Sequence, residues 1–584
     1  MTVESLITQH IDTWTSAVKT KSTTGRGSSK KLELYGVKKL RELILELAVR
    51  GKLVPQDPND EPASVLLERI AKEKNNLIKE KKIRKPLKTE EIGTDEAPFE
   101  LPVGWEWRRL VHLVTVLGDG LHGTPEYSEN GEYFFVNGNN LSNGSIQIKP
   151  ETKRVSKEQY LKHKKDLNDR TVLVSINGTL GNVGFYNNEA VMLGKSACYF
   201  NLLHGISKDY IKRLIESPYF RNYAFSVATG STIKNLGLRA MNNFVLAVPS
   251  EAEQHRIVAK VDELMALCDQ LEQQTEASIE AHQLLVTTLL NTLTNSADAD
   301  ELMENWARIS EHFDTLFTTE ESIEQLKQTI LQLAVMGKLV PQDPNDEPAS
   351  VLLERIAEEK AQLIKEKKIK KQKALPPIAD DEKPFDLPKG WEWCRFDEII
   401  DQRFPLSYGV LVPGNHVEGG VPLVRIGDID LTNPPELPEK SISTEIDSKY
   451  ERTRLFGGEI LMAVVGSIGK LGIVPDSWKG ANIARALCRI LPWEGLSKDF
   501  LLVLLQSNYM QNSFMGDTRT LAQPTLNIGL IKNSLTPIPP LSEQLKIVSI
   551  VSDLFAICDN LKIGIKQSQT IQLNLTDVIV DQAI

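Results

Sequence analysis

The chain is 584 residues long, 41% hydrophobic and 25% charged, the composition of a globular protein with apolar material for several cores. Its formal net charge of −10 weighs against a molecule that coats nucleic acid by charge alone. No uninterrupted apolar run approaches a bilayer span, and Met1 to Trp14 lacks the basic and apolar blocks of a secretory signal, so a cytoplasmic protein is expected.

Reading from the N-terminus, ITQHIDTW (Ile7 to Trp14) returns weakly as ISEHFDTL (Ile309 to Leu316), and STTGRGSSK (Ser22 to Lys30) reads as a flexible Gly/Ser insertion after the first copy. Val37, Leu40, Ile44 and Leu47 are spaced 3, 4, 3, which predicts a helix with one apolar face. Pro55, Pro58 and Pro62 must interrupt it, because proline cannot donate to a helix, and Asp60 or Ser64 is placed to cap the charged helix VLLERIAKEKNNLIKEKKIRK that follows. The lysines from Lys79 to Lys85 invite a reading as a DNA arm; the interspersed glutamates favour a solvated helix end. The block GKLVPQDPNDEPASVLLERIA, Gly51 to Ala71, recurs unchanged at all 21 positions from Gly337 to Ala357. The match holds at an offset of 286 from Leu40 to Trp107 and ends in LPVGWEW and LPKGWEW. A period this long exceeds any solenoid repeat, so each copy is domain-sized.

Beyond Trp107 and Trp393 the copies diverge and share only short islands. β-type runs such as TVLVSI (Thr171 to Ile176) and EILMAVV (Glu459 to Val465) alternate with Gly/Asn turns, and helical patterns follow over Asp209 to Phe225 and Lys498 to Phe514. Gly178, Gly181, Gly184 and Gly466, Gly469, Gly472 read as tight strand-to-strand connections, since their spacing is not that of a dinucleotide fingerprint. Residues 99–250 hold 17 Lys+Arg against 13 Asp+Glu, and residues 385–540 hold 15 against 18, so the acidity resides in the duplicated segments. The likeness resumes at Glu253 to Leu271 against Glu543 to Leu561, now at an offset of 290. Ile257, Val261, Leu264, Cys268 and Leu271 step 4, 3, 4, 3, as do Ile547, Val551, Leu554, Cys558 and Leu561, a seam suited to antiparallel helix pairing or a coiled coil. A helix from Glu253 to Asn295 would extend roughly 65 Å, long enough for a spacer.

Catalytic chemistry is hard to find. Gly194-Lys195-Ser196 and Gly469-Lys470 lack the upstream glycine of a nucleotide-binding loop, and NPPE (Asn433 to Glu436) lacks the aromatic ring with which a methyltransferase stacks a flipped base. Nine His and five Cys never reach metal-ligand spacing, and Cys198, Cys268, Cys394, Cys488 and Cys558 read as buried reduced thiols. No catalytic residue and no metal site is expected.

With these residues in view the chain resembles the DNA-specificity subunit of type I restriction-modification enzymes. The carrying motifs are LAVRGKLVPQDPNDEPASVLLERI (Leu47 to Ile70) and its copy (Leu333 to Ile356), then DGLHGTPEYSENGEYFFVNGNNL (Asp119 to Leu141), LVSINGTLGNVGFY (Leu173 to Tyr186) and GSTIKNL (Gly230 to Leu236). In the second half they are SYGVLVPGNHVEGGVPLVRIGDI (Ser407 to Ile429), ILMAVVGSIGKLGIV (Ile460 to Val474) and RTLAQPTLNI (Arg519 to Ile528). The resemblance implies a mixed α/β fold with two globular target-recognition domains separated by long antiparallel coiled-coil helices in a pseudo-two-fold repeat. The expected division is an N-terminal helical segment (1–98), a first recognition domain (99–250), a central helical spacer (251–384), a second recognition domain (385–540) and a C-terminal helix (541–584). It implies double-stranded DNA, two modification subunits and a restriction/translocase subunit as partners, with S-adenosylmethionine, ATP and Mg bound by those subunits and no cofactor here. A stand-alone methyltransferase or nuclease, or a duplicated protein-binding adaptor, would be the alternatives. DNA contacts are expected on polar loops: Asn137, Asn139, Asn140, Asn177, Thr179, Lys195, Thr232, Lys234 and Asn235 in the first domain, and Arg425, Asp428, Ser467, Lys470, Arg485, Arg519, Gln523, Thr525 and Asn527 in the second.

Overall fold

The computed structural model describes residues 3–22, 30–85, 91–93, 96–372, 375–516 and 525–584. The chain divides into two units, residues 1–278 with 568–584, and residues 279–567. The Gly/Ser segment lies mostly outside the described residues; its flanks, Lys19–Ser22 and Lys30–Glu33, pair as antiparallel strands.

In the first unit, helix α1 (Tyr35–Val49) buries Val37, Leu40, Ile44 and Leu47, the face predicted from their spacing. It stops at Gly51, whose φ of 67° favours glycine and whose missing side chain leaves room for Pro102. Helix α2 (Ala63–Lys79) follows the proline loop, but its N-cap is Pro62, and neither Asp60 nor Ser64 caps it. The Ala63 N–H instead donates to the Gly104 carbonyl at 2.8 Å, while Asp60 accepts from Ser250 and Arg256. In place of the expected local cap, the fold supplies a partner from the LPVGWEW turn.

The variable region of this unit carries strands β1 (Glu106–Arg109), β2 (Val114–Asp119), β3 (Tyr133–Val136), β4 (Thr171–Ser175), β5 (Val183–Phe185), β6 (Val191–Leu193), β7 (Ala197–Leu202) and β8 (Val245–Val248). An antiparallel sheet runs β5-β4-β7-β2, and in a second sheet β3 lies parallel to β6. Both β4 and β7 are buried along their whole length, which explains their nearly continuous apolar character. Pairing of β1 with β8 brings the two ends of the region together. The single helical pattern over 209–225 is two helices, α3 (Lys208–Glu216) and α4 (Pro218–Val227), because Pro218 cannot continue α3 and the Ser217 hydroxyl caps α4. Helix α5 (Glu251–Asn295) begins in this unit and ends in the second.

The second unit repeats the plan with α6 (Glu320–Val335), α7 (Ala349–Lys365), β9 (Glu392–Arg395), β10 (Val421–Val424), β11 (Ile460–Ala463), β12 (Leu471–Ile473), β13 (Asn482–Ile483), β14 (Leu487–Ile490), α8 (Lys498–Gln506), α9 (Asn508–Met515), β15 (Leu535–Ile538) and α10 (Leu541–Ala583). Strand β9 pairs with β15, and β10 lies parallel to β13. The antiparallel sheet here is β12-β11-β14, with an isolated bridge from Tyr408 to Cys488 where the first unit has a fourth strand. Helix α10 starts in this unit and ends in the first. There Asp577 accepts from Tyr35 at 2.7 Å and Lys52 reaches the Ile584 carbonyl; in the second unit, Lys338 reaches the Thr294 and Ser296 carbonyls at 2.9 and 2.8 Å, at the end of α5. Each unit therefore receives the end of a long helix begun in the other. Among the described residues no helix is long and apolar enough to cross a membrane.

The duplicated islands meet at one buried carboxylate in each unit. Glu253, in the first turn of α5 and 3% exposed, accepts from the Trp105 indole at 2.9 Å and from Gln56 at 2.6 Å. Glu543, in the first turn of α10 and 1% exposed, accepts from Trp391 at 3.0 Å and Gln342 at 3.1 Å. The next residue also matches: Gln254 accepts the Ser207 N–H at 2.8 Å and Gln544 accepts the Ser497 N–H at 2.9 Å, which ties each long helix to its variable region.

The seams differ more than their spacing suggests. Ile257, Val261, Leu264, Cys268 and Leu271 are all buried, and Arg41 on α1 pairs across with Asp269 and Glu272 at 2.6 and 2.7 Å. In the second unit Ile547, Val551 and Cys558 are buried beside Leu326 and Ile330, whereas Leu554 and Leu561 are only half-buried. All five cysteines are free and buried, and burial pushes the Cys268 thiol up to about 11 and Cys488 to about 12. These thiols stay neutral near pH 7.

Leu264→Ala should cost roughly 2 to 5 kcal/mol, and Leu554→Ala distinctly less because its site is half open to solvent. Denaturant unfolding that ranks them in reverse would contradict this account of the seams. A second expectation concerns pH. Burial raises the carboxyl pKa of Glu253 and Glu543 above the usual glutamate value, outweighing the hydrogen bonds that lower it. Folding therefore favours their protonated form, and the cost of ionising them is relieved as pH falls through the raised pKa. Relative to the Glu253→Gln, Glu543→Gln double variant, the wild type should gain unfolding free energy as pH falls through that range. Glu253→Ala should be worse than Glu253→Gln at every pH, since it strands the buried Trp105 N–H, at roughly 1 to 3 kcal/mol.

Candidate nucleic-acid interface

The sheet of each unit delivers four loops to one place, and backbone hydrogen bonds lock them together. In the first unit β4 runs on into Ile176, whose N–H donates to Ser196 and whose carbonyl accepts from Leu236, while the Gly178 N–H donates to Lys234 at 2.9 Å. The Gly194 N–H donates to Val136 at 2.8 Å, and the Ser196 hydroxyl accepts from the Gly138 N–H at 2.9 Å and donates to the Asn137 side-chain oxygen at 3.0 Å. Loops 137–140, 177–182, 194–196 and 229–236 thus form one surface. Gly178 and Gly181, at φ 77° and 88°, make the tight turn between β4 and β5 that the glycine spacing predicted.

Four backbone bonds of this frame recur in the second unit. The Val464 N–H donates to Ala486, the Leu526 N–H to Val464, the Ala484 N–H to Val424 and the Ala463 N–H to Lys470, each at 2.8 to 2.9 Å. The counterparts are Ile176 to Ser196, Leu236 to Ile176, Gly194 to Val136 and Ser175 to Asn182, at 2.8 to 3.0 Å. The frame aligns positions that sequence comparison leaves ambiguous: Asn137 with Arg425, Asn140 with Asp428, Thr179 with Ser467, Asn182 with Lys470, Lys195 with Arg485, and Asn235 with Thr525.

Most predicted residues fall on these surfaces. Asn139, Thr179, Lys195, Thr232 and Asn235 are exposed, Asn137, Asn177 and Lys234 are partly exposed, and the Asn177 amide donates to the Asn235 side chain at 3.1 Å. In the second unit Arg425, Ser467, Lys470, Arg485, Thr525 and Asn527 are exposed. Asn527 also caps the following short helix through the Gly529 N–H at 2.7 Å, and the Lys470 ammonium donates to the Ile426 carbonyl at 3.1 Å. Arg519 and Gln523 lie outside the described residues. Two expectations need correction. Asn140 and Asp428 are buried, and their side chains turn inward to accept the backbone N–H three residues earlier, Asn137 at 3.0 Å and Arg425 at 2.7 Å. Both are clamps on the same turn.

Sequence reasoning passed over Ser196, which ties two loops together, and the exposed apolar tips Ile233 at 61%, Leu411 and Val412. An isolated aliphatic residue inside a polar Gly/Thr/Lys loop is the signal that could have found Ile233, because burial does not account for it. Such groups can meet a thymine methyl.

Two loop platforms that share four backbone bonds and differ in their side chains, set on a duplicated scaffold, make one polar surface built twice. Residues 102–281 and 412–569 match the type I restriction modification DNA specificity domain. Over their full lengths the chain is 41% identical to the Type I restriction enzyme EcoEI specificity subunit and 42% identical to the EcoAI specificity subunit, both of Escherichia coli. The EcoBI specificity subunit of the same organism is 26% identical over 70% of this chain and 72% of its own. An HsdS subunit of Thermoanaerobacter tengcongensis superposes with a TM-score of 0.38 at 18% identity, over 83% of this chain and 98% of that one. The chain belongs to the type I restriction-modification DNA-specificity family. It is a specificity subunit, the non-catalytic part of such a system.

The shared clamp position yields a direct check. Asp428→Asn gives the second turn the group used by the first and should leave the thermal midpoint nearly unchanged. Asp428→Ala and Asn140→Ala should each cost roughly 1 kcal/mol or more by leaving the part-buried Arg425 or Asn137 N–H without its partner. Equal losses for Asp428→Asn and Asp428→Ala would reject the clamp.

Proposed function

We propose that residues 99–250 and 385–540 act as two target-recognition domains, each reading one half of a bipartite site in double-stranded DNA. Segments 1–98, 251–384 and 541–584 are then the scaffold, whose long helices set the half-site separation and dock two copies of a modification subunit. The observation that carries this reading is the pairing of one conserved hydrogen-bond frame with two different sets of loop side chains. A common backbone presents different donors and acceptors, as two readers of different sequences require. The proposed DNA-facing set is Asn137, Asn139, Asn177, Thr179, Lys195, Thr232, Lys234 and Asn235 with Arg425, Ser467, Lys470, Arg485, Arg519, Gln523, Thr525 and Asn527.

The scaffold side rests on exposed apolar residues that recur at equivalent places in both copies. Val65 and Val351, Leu267 and Ile557, and Leu285 and Leu575 are all exposed. Apolar residues left exposed at equivalent places in both copies suit two copies of one partner better than two unrelated ones. In this assignment S-adenosylmethionine, ATP and Mg belong to the modification and restriction/translocase subunits, and the complex works in the cytoplasm.

The test is methylome sequencing of cells that express this chain with its modification subunit, followed by exchange of residues 99–249 for the first variable domain of another subunit. A bipartite adenine-modified motif is expected, with only one half rewritten in the chimera. A chimera whose motif changes in both halves would overturn the two-reader proposal.

A further inference from the structure

The equivalence of the two loop platforms separates two kinds of DNA contact, an inference that rests on the two-reader proposal. If the units read different half-sequences through one frame, a group with the same chemistry at equivalent positions is suited to what all DNA shares, and a pair of exposed cations suits the phosphates. A group whose chemistry changes is free to meet what differs. Position 195/485 is of the first kind. Lys195 and Arg485 are both exposed cations on the turn that follows the parallel strand β6 or β13, and neither side chain has an ion-pair or hydrogen-bond partner among the described residues. Position 137/425 is of the second kind. Its backbone is held in the same way in both units, through the Asn140 and Asp428 clamps and through the bonds to Val136 and Val424, while its side chain changes from Asn to Arg.

The surroundings of that position have diverged with it. Ser196 anchors the Asn137 oxygen at 3.0 Å, whereas the equivalent Ala486 has no group with which to hold Arg425. Arg425 reaches Glu439 at 3.3 Å and Asp428 at 3.7 Å, but Glu439 is 88% exposed, and an exposed pair of this kind holds a guanidinium only weakly. The Asn137 oxygen is held by Ser196 and packs against Gly194, so the group it offers a base edge is its amide nitrogen, a donor with no acceptor among the described residues that suits adenine N7. The Arg425 fork has the geometry for the two guanine acceptors.

We infer that Asn137 and Arg425 are the equivalent specificity-determining residues of the two domains, Asn137 reading an adenine and Arg425 a guanine, and that Lys195 and Arg485 bind the phosphate backbone. The experiment uses the full chain assembled with its modification subunit, titrated at several salt concentrations with a duplex carrying its methylome-defined site and with a scrambled duplex. Arg425→Ala should weaken binding to the site about fivefold to hundredfold, leave the scrambled duplex unaffected, and relax methylation at one guanine of the second half-site. Asn137→Ala should relax one adenine of the first half-site. Lys195→Ala and Arg485→Ala should weaken both duplexes by the same factor and reduce the salt slope by about 1 each, with the motif unchanged. Arg425→Gln and Lys195→Gln, checked for an unchanged thermal midpoint, separate these effects from loss of fold. Equal loss on both duplexes for Arg425→Ala, or a relaxed base for Lys195→Ala, overturns the inference while the two-reader proposal stands. A wild-type complex that does not distinguish the two duplexes overturns both.

Discussion

The arrangement depends on a carboxylate taken out of water. Glu253 and Glu543 sit in the first turns of the long helices, where the helix dipole favours a negative charge, and each gathers an indole N–H and an amide from segments about 150 and 200 residues earlier. Burying such a group without partners would be costly, so the proline loop, the GWEW turn and the helix start must be present together. That requirement accounts for the sequence pattern. The two long stretches kept alike between the copies, Leu40 to Trp107 and Glu253 to Leu271 with their counterparts, supply this carboxylate and its partners, and the region between them was free to diverge.

Freedom to diverge is itself bounded. In both variable regions three strands of the antiparallel sheet, the parallel pair and the serine-capped helix pair persist, and the shared bonds between loops are made by backbone atoms. Backbone bonds are indifferent to most side chains, so the platform tolerates Asn, Arg, Lys or Thr at its surface. The exceptions are the inward-turned clamp at Asn140 and Asp428, where only a short side-chain acceptor serves, and, in the first unit, the Ser196 hydroxyl and the Asn177 amide. A recognition surface can thus change what it reads while its strands keep their register.

Much of this was legible in the residues, and what was not has a physical reason. The apolar face of α1, the seam of α5 and the glycine turn after β4 follow from local periodicity and backbone sterics, and they stand where spacing put them. The break between α3 and α4 escaped notice because apolar periodicity continues through Ser217, although a serine before a proline is itself a helix-start signal. Caps at Asp60 or Ser64 were misjudged because the Ala63 N–H finds a carbonyl from a distant turn. Asn140 and Asp428 looked like readers because a polar loop residue carries no mark of which way it points. Leu554 and Leu561 share the spacing of buried leucines, but spacing does not report how much of a helix face its neighbours cover.

The first unit takes its last helical turns from residues 568–583, and Tyr35, Lys39 and Lys52 hold that tail through Asp577 and the Ile584 carbonyl. The second unit is contiguous, from 279 to 567. On the ribosome the unit that emerges first is therefore the one that closes last. Its α1 face waits, partly uncovered, through the synthesis of nearly 300 further residues. Residues 568–584 complete the first unit only after all of the second has been made, so a chain halted before residue 568 presents one unit complete and the other open.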